Sequence, residues 1–246
     1  MLLTLDIGNT NIKTALFEND LMSDFKIHTN INSVLNYINH VTFTKVAVCS
    51  VNPASQKIIS NELSSKRISI FNTQIQQKFN LKINYQTPAS LGMDRVCSTV
   101  AALNIALKKR IISLGQYIIT IDFGTATTVN IVSPDKQFIG GLIAPGITTM
   151  LKSLNENTAQ LPLSDSNSYK GLIGKSTDSS IISGVVTATI GLINETVNKL
   201  KIESNQIPII FVTGGNSKFI VPHLDHEVNF DQALVLKGLK IIYDLN

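Results

Sequence analysis

Apolar and polar positions along the chain fall into blocks of two kinds. The first kind is a short apolar or β-branched run closed by Asp and Gly. Leu3-Thr4-Leu5-Asp6-Ile7-Gly8-Asn9-Thr10 is one such block, and Ile119-Thr120-Ile121-Asp122-Phe123-Gly124-Thr125-Ala126 repeats it close to half a chain later. Each continues into a second strand-like segment, residues 11–17 in the first copy and 128–132 in the second. The pattern predicts strand, tight glycine turn and antiparallel strand, twice over. Pro134-Asp135-Lys136-Gln137 is a turn leading to a third strand of the second copy. Residues 47–51 and 207–212 have the composition of buried strands, and residues 68–71 that of another short strand.

The second kind has helical spacing. In residues 90–109 the apolar positions Val96, Val100, Leu103 and Leu107 recur every three or four residues. In residues 177–200, Ile182, Val185, Thr189, Leu192 and Leu200 share a face. A shorter helix is expected over residues 53–63, opened by Pro53. Residues 155–170 are Asn- and Ser-rich and read as a mobile or interface loop. Strands and helices in this mixture predict an α/β protein. No Pro/Gly/Ser-rich linker interrupts it, so two closely packed halves are expected, residues 1–110 and 111–246, meeting near positions 109–114.

Composition narrows the function classes. The 246 residues are 43% hydrophobic and 15% charged, enough for a sizeable core and incompatible with wholesale disorder. Despite a positive mean hydropathy, no apolar stretch is expected to reach the roughly 18 to 20 residues that span a bilayer. The opening Met1-Leu2-Leu3-Thr4-Leu5-Asp6 has no basic leader and is not read as a signal peptide. The net charge of +4 is spread over scattered lysines, and the densest run, Lys108-Lys109-Arg110, suits a helix C-terminus. No basic stripe with interleaved aromatics marks a nucleic-acid partner. Cys49 and Cys97 have apolar neighbours and no CxxC or Cys/His ligand spacing, which argues against zinc and a disulfide framework and for a reduced, cytoplasmic protein.

The chemistry lies in the repeat. An Asp at the end of a strand beside a Gly turn places a carboxylate and free backbone N–H groups together. Such N–H groups hold phosphate oxygens, and a carboxylate next to phosphate implies a bridging cation. Asn9, Thr10 and the residues 125–128 add uncharged donors. Thr213-Gly214-Gly215-Asn216, after the strand at 207–212, allows close backbone approach to a flat ligand such as a nucleoside; an ordinary strand-to-helix turn is the alternative. Gly174-Lys175-Ser176 imitates the end of a P-loop, but Tyr169 stands where its first glycine belongs. His223 and His226, three apart after Pro222, are read as a solvated loop rather than a metal pair.

Leu91-Gly92-Met93-Asp94-Arg95 opens the first long helix. Asp there is favoured by the helix dipole, yet Arg95 is one of only three arginines and offers a rigid fork to a polar substrate group. Tyr85-Gln86-Thr87-Pro88 fixes a bend just upstream. Together they predict a small-molecule pocket in which Asp94 orients a hydroxyl nucleophile and accepts its proton.

These motifs, in this order and with Gly140-Gly141 and Pro145-Gly146 between the second repeat and Thr213-Gly214-Gly215, resemble the type III pantothenate kinases over essentially the whole chain. The resemblance implies duplicated ribonuclease H-like domains of the acetate and sugar kinase/Hsp70/actin (ASKHA) superfamily. It implies ATP-dependent phosphorylation of the 4′-hydroxyl of pantothenate, the first step of coenzyme A synthesis. Asp6, Ile7, Gly8, Asn9, Thr10, Asn11, Ile12 and Lys13 match the first phosphate loop, with Asp6 acting on Mg2+, and Thr125 matches the second. Asp94 matches the catalytic base; Tyr85, Gly92, Met93, Asp94 and Arg95 match the pantothenate contacts; Thr213, Gly214 and Gly215 match the adenosine contact. Asp122 matches the ligand of an activating monovalent cation, K+ or NH4+, and Thr177 a residue reaching the neighbouring subunit's substrate in a homodimer. A non-catalytic nucleotide-binding regulator and another small-molecule kinase of this fold are the rival readings.

Overall fold

The computed structural model describes residues 1–246 and divides into two compact units. The first holds residues 1–111, 136–138 and 233–246; the second holds 112–135 and 139–232. The expected cut near residue 110 is therefore crossed twice, because the chain returns to the first unit at Lys136–Phe138 and again at Ala233–Asn246.

In the first unit, β1 (Leu2–Ile7), β2 (Ile12–Glu18) and β3 (Leu21–His28) form an antiparallel meander, and β4 (Lys45–Ser50) and β5 (Ile70–Asn72) add to it in parallel. The strand order is β3-β2-β1-β4-β5. Helices α1 (Ile31–His40) and α2 (Pro53–Ser65) follow, each opened by an Asn, Asn30 or Asn52, whose side-chain oxygen accepts a backbone N–H of the first turn. Leu3, Leu5, Ile7, Ile12, Leu16, Val34, Ile38, Val46, Ile59 and Leu63 make one core between them. A two-stranded parallel pairing joins β6 (Lys82–Ile83) to the first two residues of β9 (Gln137–Pro145). Next comes α3 (Met93–Lys108), which packs against α7 (Leu234–Leu245).

The second unit uses β7 (Ile118–Phe123), β8 (Ala126–Val132), β9, β10 (Ile209–Thr213) and β11 (Asn229–Phe230) in the order β11-β10-β7-β8-β9. Written from its third strand, this is the order of the first sheet, so the duplicated motif is a duplicated topology. Helices α4 (Ile147–Glu156), α5 (Thr177–Ser204) and α6 (Ser217–Ile220) complete the unit, whose core gathers Ile119, Ile121, Phe123, Val129, Ile182, Val186, Ile193, Val197, Ile210 and Val212.

Several expectations change. Helix α5 is long and apolar enough by length and composition to cross a membrane, contrary to the reading that no stretch qualifies. Its buried residues belong to the core, and its Thr189 and Thr196 hydroxyls donate to carbonyls one turn back. That is the behaviour of a core helix. Leu107, expected on the buried face of α3, is exposed. Residues 155–170 contain the end of α4 and a short 3-10 turn, and the Asn155 amide donates to the Leu161 carbonyl at 2.8 Å. His223 is exposed, as expected, and its ring also meets Tyr169 edge-on at 5.0 Å and Phe219 at 5.7 Å. Lys175 and Ser176 precede α5, where Ser176 and Ser179 form a capping box, so the P-loop imitation is a helix start.

Candidate active site

In the first unit, β1 carries Asp6 to its end and the turn at residues 8–11 closes with the Gly8 N–H donating to the Asn11 carbonyl at 3.1 Å. Asp6 pairs across the ladder with Lys13, and Lys13 Nζ lies 4.0 Å from Asp6 Oδ2 with both side chains mostly enclosed. Asn9 and Thr10 are exposed in the turn, whereas Ile7 and Ile12 point into the core and leave only backbone for a ligand.

Parallel β4 places Cys49 beside Asp6. Cys49 is fully buried and its thiol is pushed well up, first by its hydrogen bond with Cys97, then by burial, and further by the charges of Asp6 and Asp94. Asp94 sits in the first turn of α3, behind the N-cap Gly92. A Cβ on Gly92 would stand 2.5 Å from Asp94 Oδ1, so the carboxylate folds back over the helix start only because position 92 has no side chain. Burial pushes the Asp94 carboxyl above its ordinary value, while the Arg95 backbone N–H, the Arg95 charge, its own backbone N–H and Lys13 pull it back. The result is a half-buried carboxylate of heightened proton affinity at a helix start, next to the buried Arg95, which suits a general base.

Arg95 is buried and its Cζ lies 5.9 Å from the Tyr85 ring and 5.5 Å from the Phe138 ring. The two rings meet edge-on at 5.8 Å. Met93, beside Asp94, is half-buried.

In the second unit, Asp122 near the end of β7 is flanked by Thr128 on β8 and Thr213 on β10. The Thr125 carbonyl accepts from the Gly146 N–H at 2.9 Å and from the Thr149 hydroxyl at 2.6 Å, which pins the second glycine turn to the start of α4. Gly214 adopts a φ of +103°, and a Cβ there would stand 2.4 Å from Asp122 Oδ1 and 2.5 Å from the Phe123 nitrogen. The Asn216 N–H donates to the Phe123 carbonyl at 3.0 Å. The structure thus joins Thr213 and Gly214 to Asp122, with Gly215 exposed beside them. Thr177, the first residue of α5, is exposed and lines a cavity of about 820 Å³ shared with Pro145, Thr149, Met150 and Ile181.

Residues 2–199 match the family model described as type III pantothenate kinase. The chain belongs to that family. Among curated type III pantothenate kinases, that of Sulfurihydrogenibium sp. (strain YO3AOP1) is 32% identical over 257 residues, covering 97% of this chain and 98% of the relative. That of Syntrophus aciditrophicus (strain SB) is 29% identical over 261 residues, covering all of both chains. Among solved structures, a candidate Baf family transcriptional activator from Campylobacter jejuni superposes with a TM-score of 0.66 at 22% identity, over 98% of this chain and 97% of that one. A candidate N-acetylmannosamine kinase from Listeria monocytogenes gives 0.52 at 12% identity, over 98% of each. These likenesses carry the fold alone, a duplicated α/β architecture with the repeated strand order described above.

For a type III pantothenate kinase, the sequence reading left out two neighbours of its chosen residues. The spacing of Cys49 shows only a reduced thiol, and its ladder position opposite Asp6 follows once β4 is paired with β1. Phe138 carried no signal, because its partners Tyr85 and Arg95 lie more than forty positions away in the chain.

Proposed function

We propose that this chain transfers the γ-phosphoryl group of ATP to the 4′-hydroxyl of pantothenate. The observation that carries the reading is Asp94 in the first turn of α3, its carboxylate folded against the side-chain-free Gly92 and next to the buried Arg95, with burial raising its proton affinity. Phosphoryl transfer passes through a loose transition state, so positioning and charge neutralisation matter more than a strong base. Asp94 orients the acceptor hydroxyl and takes its proton late in the transfer. Arg95, Tyr85, Gly92 and Met93 hold the rest of pantothenate. The residues 6–13 and Thr125 receive the phosphates through backbone N–H groups and the Lys13 ammonium, and Thr213, Gly214 and Gly215 receive the adenosine.

Magnesium fits Asp6. No cluster of three His, Cys, Asp or Glu side chains surrounds a point, but Mg2+ is commonly held by one or two carboxylates, waters and substrate phosphates. Asp6, enclosed at the strand end beside Lys13, supplies that carboxylate. A monovalent cation fits Asp122, whose carboxylate lies against a backbone cradle that a methyl group at position 214 would fill. These ions would neutralise charge on the phosphates. The Thr177 reading adds a homodimer in which this residue reaches the partner's pantothenate; its exposed place on a largely apolar cavity supports that reading. Two buried free cysteines support a reduced, cytoplasmic setting.

The test is ADP release from Mg-ATP with and without pantothenate, in potassium and then in sodium buffer. Pantothenate-dependent turnover is expected, and Asp94→Asn should lose it by about a hundredfold or more while still binding ATP. No turnover in either salt, from folded protein, would favour a nucleotide-binding regulator instead. Turnover with a sugar or a short acid, but not with pantothenate, would favour another kinase of the fold.

A further inference from the structure

The best-defined structure around Arg95 is aromatic, and one of its members is assigned no role by the reading above. Phe138 has no exposed surface, so it cannot touch a substrate. Its ring centroid, the Tyr85 centroid and the Arg95 guanidinium carbon form a nearly equilateral triangle with sides of 5.5, 5.8 and 5.9 Å. The backbone ties the same residues together. Phe138 pairs with Ile83 in the β6–β9 ladder, and its carbonyl accepts the Asn84 N–H at 2.9 Å, immediately before Tyr85. At the other corner, the Arg95 carbonyl accepts the Ser98 and Thr99 hydroxyls at 3.0 and 2.6 Å, which fixes the root of the arginine in α3.

A buried guanidinium against two aromatic rings is held by their quadrupoles, and the attraction grows as water is excluded. The arginine side chain otherwise carries much rotamer freedom that binding would have to remove. Two rings at this distance remove it beforehand. The segment that supplies Phe138 is also the short excursion, Lys136–Phe138, by which the chain returns to the first unit.

We infer that Phe138 is a positioning residue for the acceptor: it presets Arg95 and Tyr85 so that both meet pantothenate without rearrangement. The inference rests on the proposed function, since it assigns these two residues to the acceptor rather than to ATP. Phe138 acts through them and touches neither substrate.

The experiment compares steady-state constants of wild type, Phe138→Leu, Arg95→Lys and the double variant, with a fluorinated phenylalanine incorporated at position 138 as a near-isosteric control. Phe138→Leu should raise the pantothenate KM about tenfold, the size of one desolvated cation–π contact, and leave the ATP KM within about twofold. Progressive ring fluorination weakens the quadrupole while leaving the fold intact, and should raise the pantothenate KM step by step. A purely structural role would lower the melting temperature without that graded response. The double variant should lose clearly less than the product of the two single losses, because both changes act in part on one shared contact.

An unchanged pantothenate KM in an active Phe138→Leu enzyme would overturn the inference and leave the proposed function standing. Fully multiplicative losses in the double variant would do the same. A wild-type enzyme without pantothenate-dependent ADP release would overturn both.

Discussion

Replacing Gly92 by Ala separates the needs of the fold from those of the chemistry. Gly92 has φ −59° and ψ 129°, which any L-residue adopts, so the substitution strains no backbone. The added methyl would stand 2.5 Å from Asp94 Oδ1, about 0.8 Å inside ordinary carbon–oxygen contact. Its next neighbours, Asp94 Cγ at 3.7 Å and Arg95 Cγ at 3.9 Å, are already at van der Waals distance. The conflict is therefore with the end of one rotatable side chain, which swings away at small cost. Against that cost stands the smaller unfolded-state entropy of Ala, about 0.4 to 1 kcal/mol in favour of the fold. The net expectation is a melting temperature unchanged or raised by about 2 to 4 °C in a chain of this size. Catalysis fares differently. The carboxylate must move by nearly an ångström, and a displacement of that size can cost about a hundredfold in rate. Differential scanning fluorimetry and a coupled ADP-release assay read the two quantities on one preparation. A kcat within about threefold of wild type would refute the assignment of Asp94 as the base. A melting temperature lowered by about 5 °C or more would refute the steric reasoning.

Lys13→Met removes a charge that holds the Asp94 carboxyl down, so its proton affinity should rise further. Activity needs the ionised base, so the acid limb of kcat/KM against pH should move to higher pH, and a limb that stayed in place would dissociate Lys13 from Asp94. Burial raises the Asp94 pKa in the folded state, so ionised Asp94 opposes folding; Asp94→Asn should raise stability at neutral pH, with the gain shrinking as pH falls through the carboxylate range. Equal or lower melting temperature for Asp94→Asn at pH 7 would show that the opposing hydrogen bonds outweigh burial. Gly214→Ala meets a φ of +103° and a carboxylate oxygen at 2.4 Å, and should cost about 1 to 3 kcal/mol by thermal denaturation; a neutral result would mean that the turn relaxes freely. Asp122→Ala should abolish activation by potassium while sparing fold and ATP binding, and an unaltered potassium dependence would move the cation elsewhere.

The parts of this molecule legible in its sequence are those whose signal is local. Both glycine turns announce themselves because Asp, Gly and hydroxyl residues interrupt apolar runs, and β1, β2, β7 and β8 follow from them. Asp94 and Arg95 stand out at a helix start for the same reason. Strand β3 escapes because it is an edge strand with a half-exposed burial pattern and a register shift opposite Thr14 and Leu16, which spoils the alternation. Helix α7 escapes because Leu234, Val235, Leu236, Leu239 and Ile242 are all buried, and so dense an apolar run does not declare its period. Its membership of the first unit is a long-range fact, as is the triangle of Tyr85, Arg95 and Phe138. Residues 6–13 match one phosphate loop, yet the fold divides them between two strand ends, with Ile7 and Ile12 in the core, and a turn whose Asn9 and Thr10 are exposed.

The return of α7 to α3 has a consequence for how the protein is made. Synthesis runs from the N-terminus, so β1 to α3, including Asp6 and Asp94, leave the ribosome well before α7 does. The second unit, by contrast, falls in sequence between the first and last segments of the first and can be completed sooner. Until α7 arrives, α3 has β4 beneath it but lacks the helix it packs against most extensively, and the apolar surface meant for α7 is open to chaperones and to other nascent chains. The half that bears the proposed base is begun first and finished last.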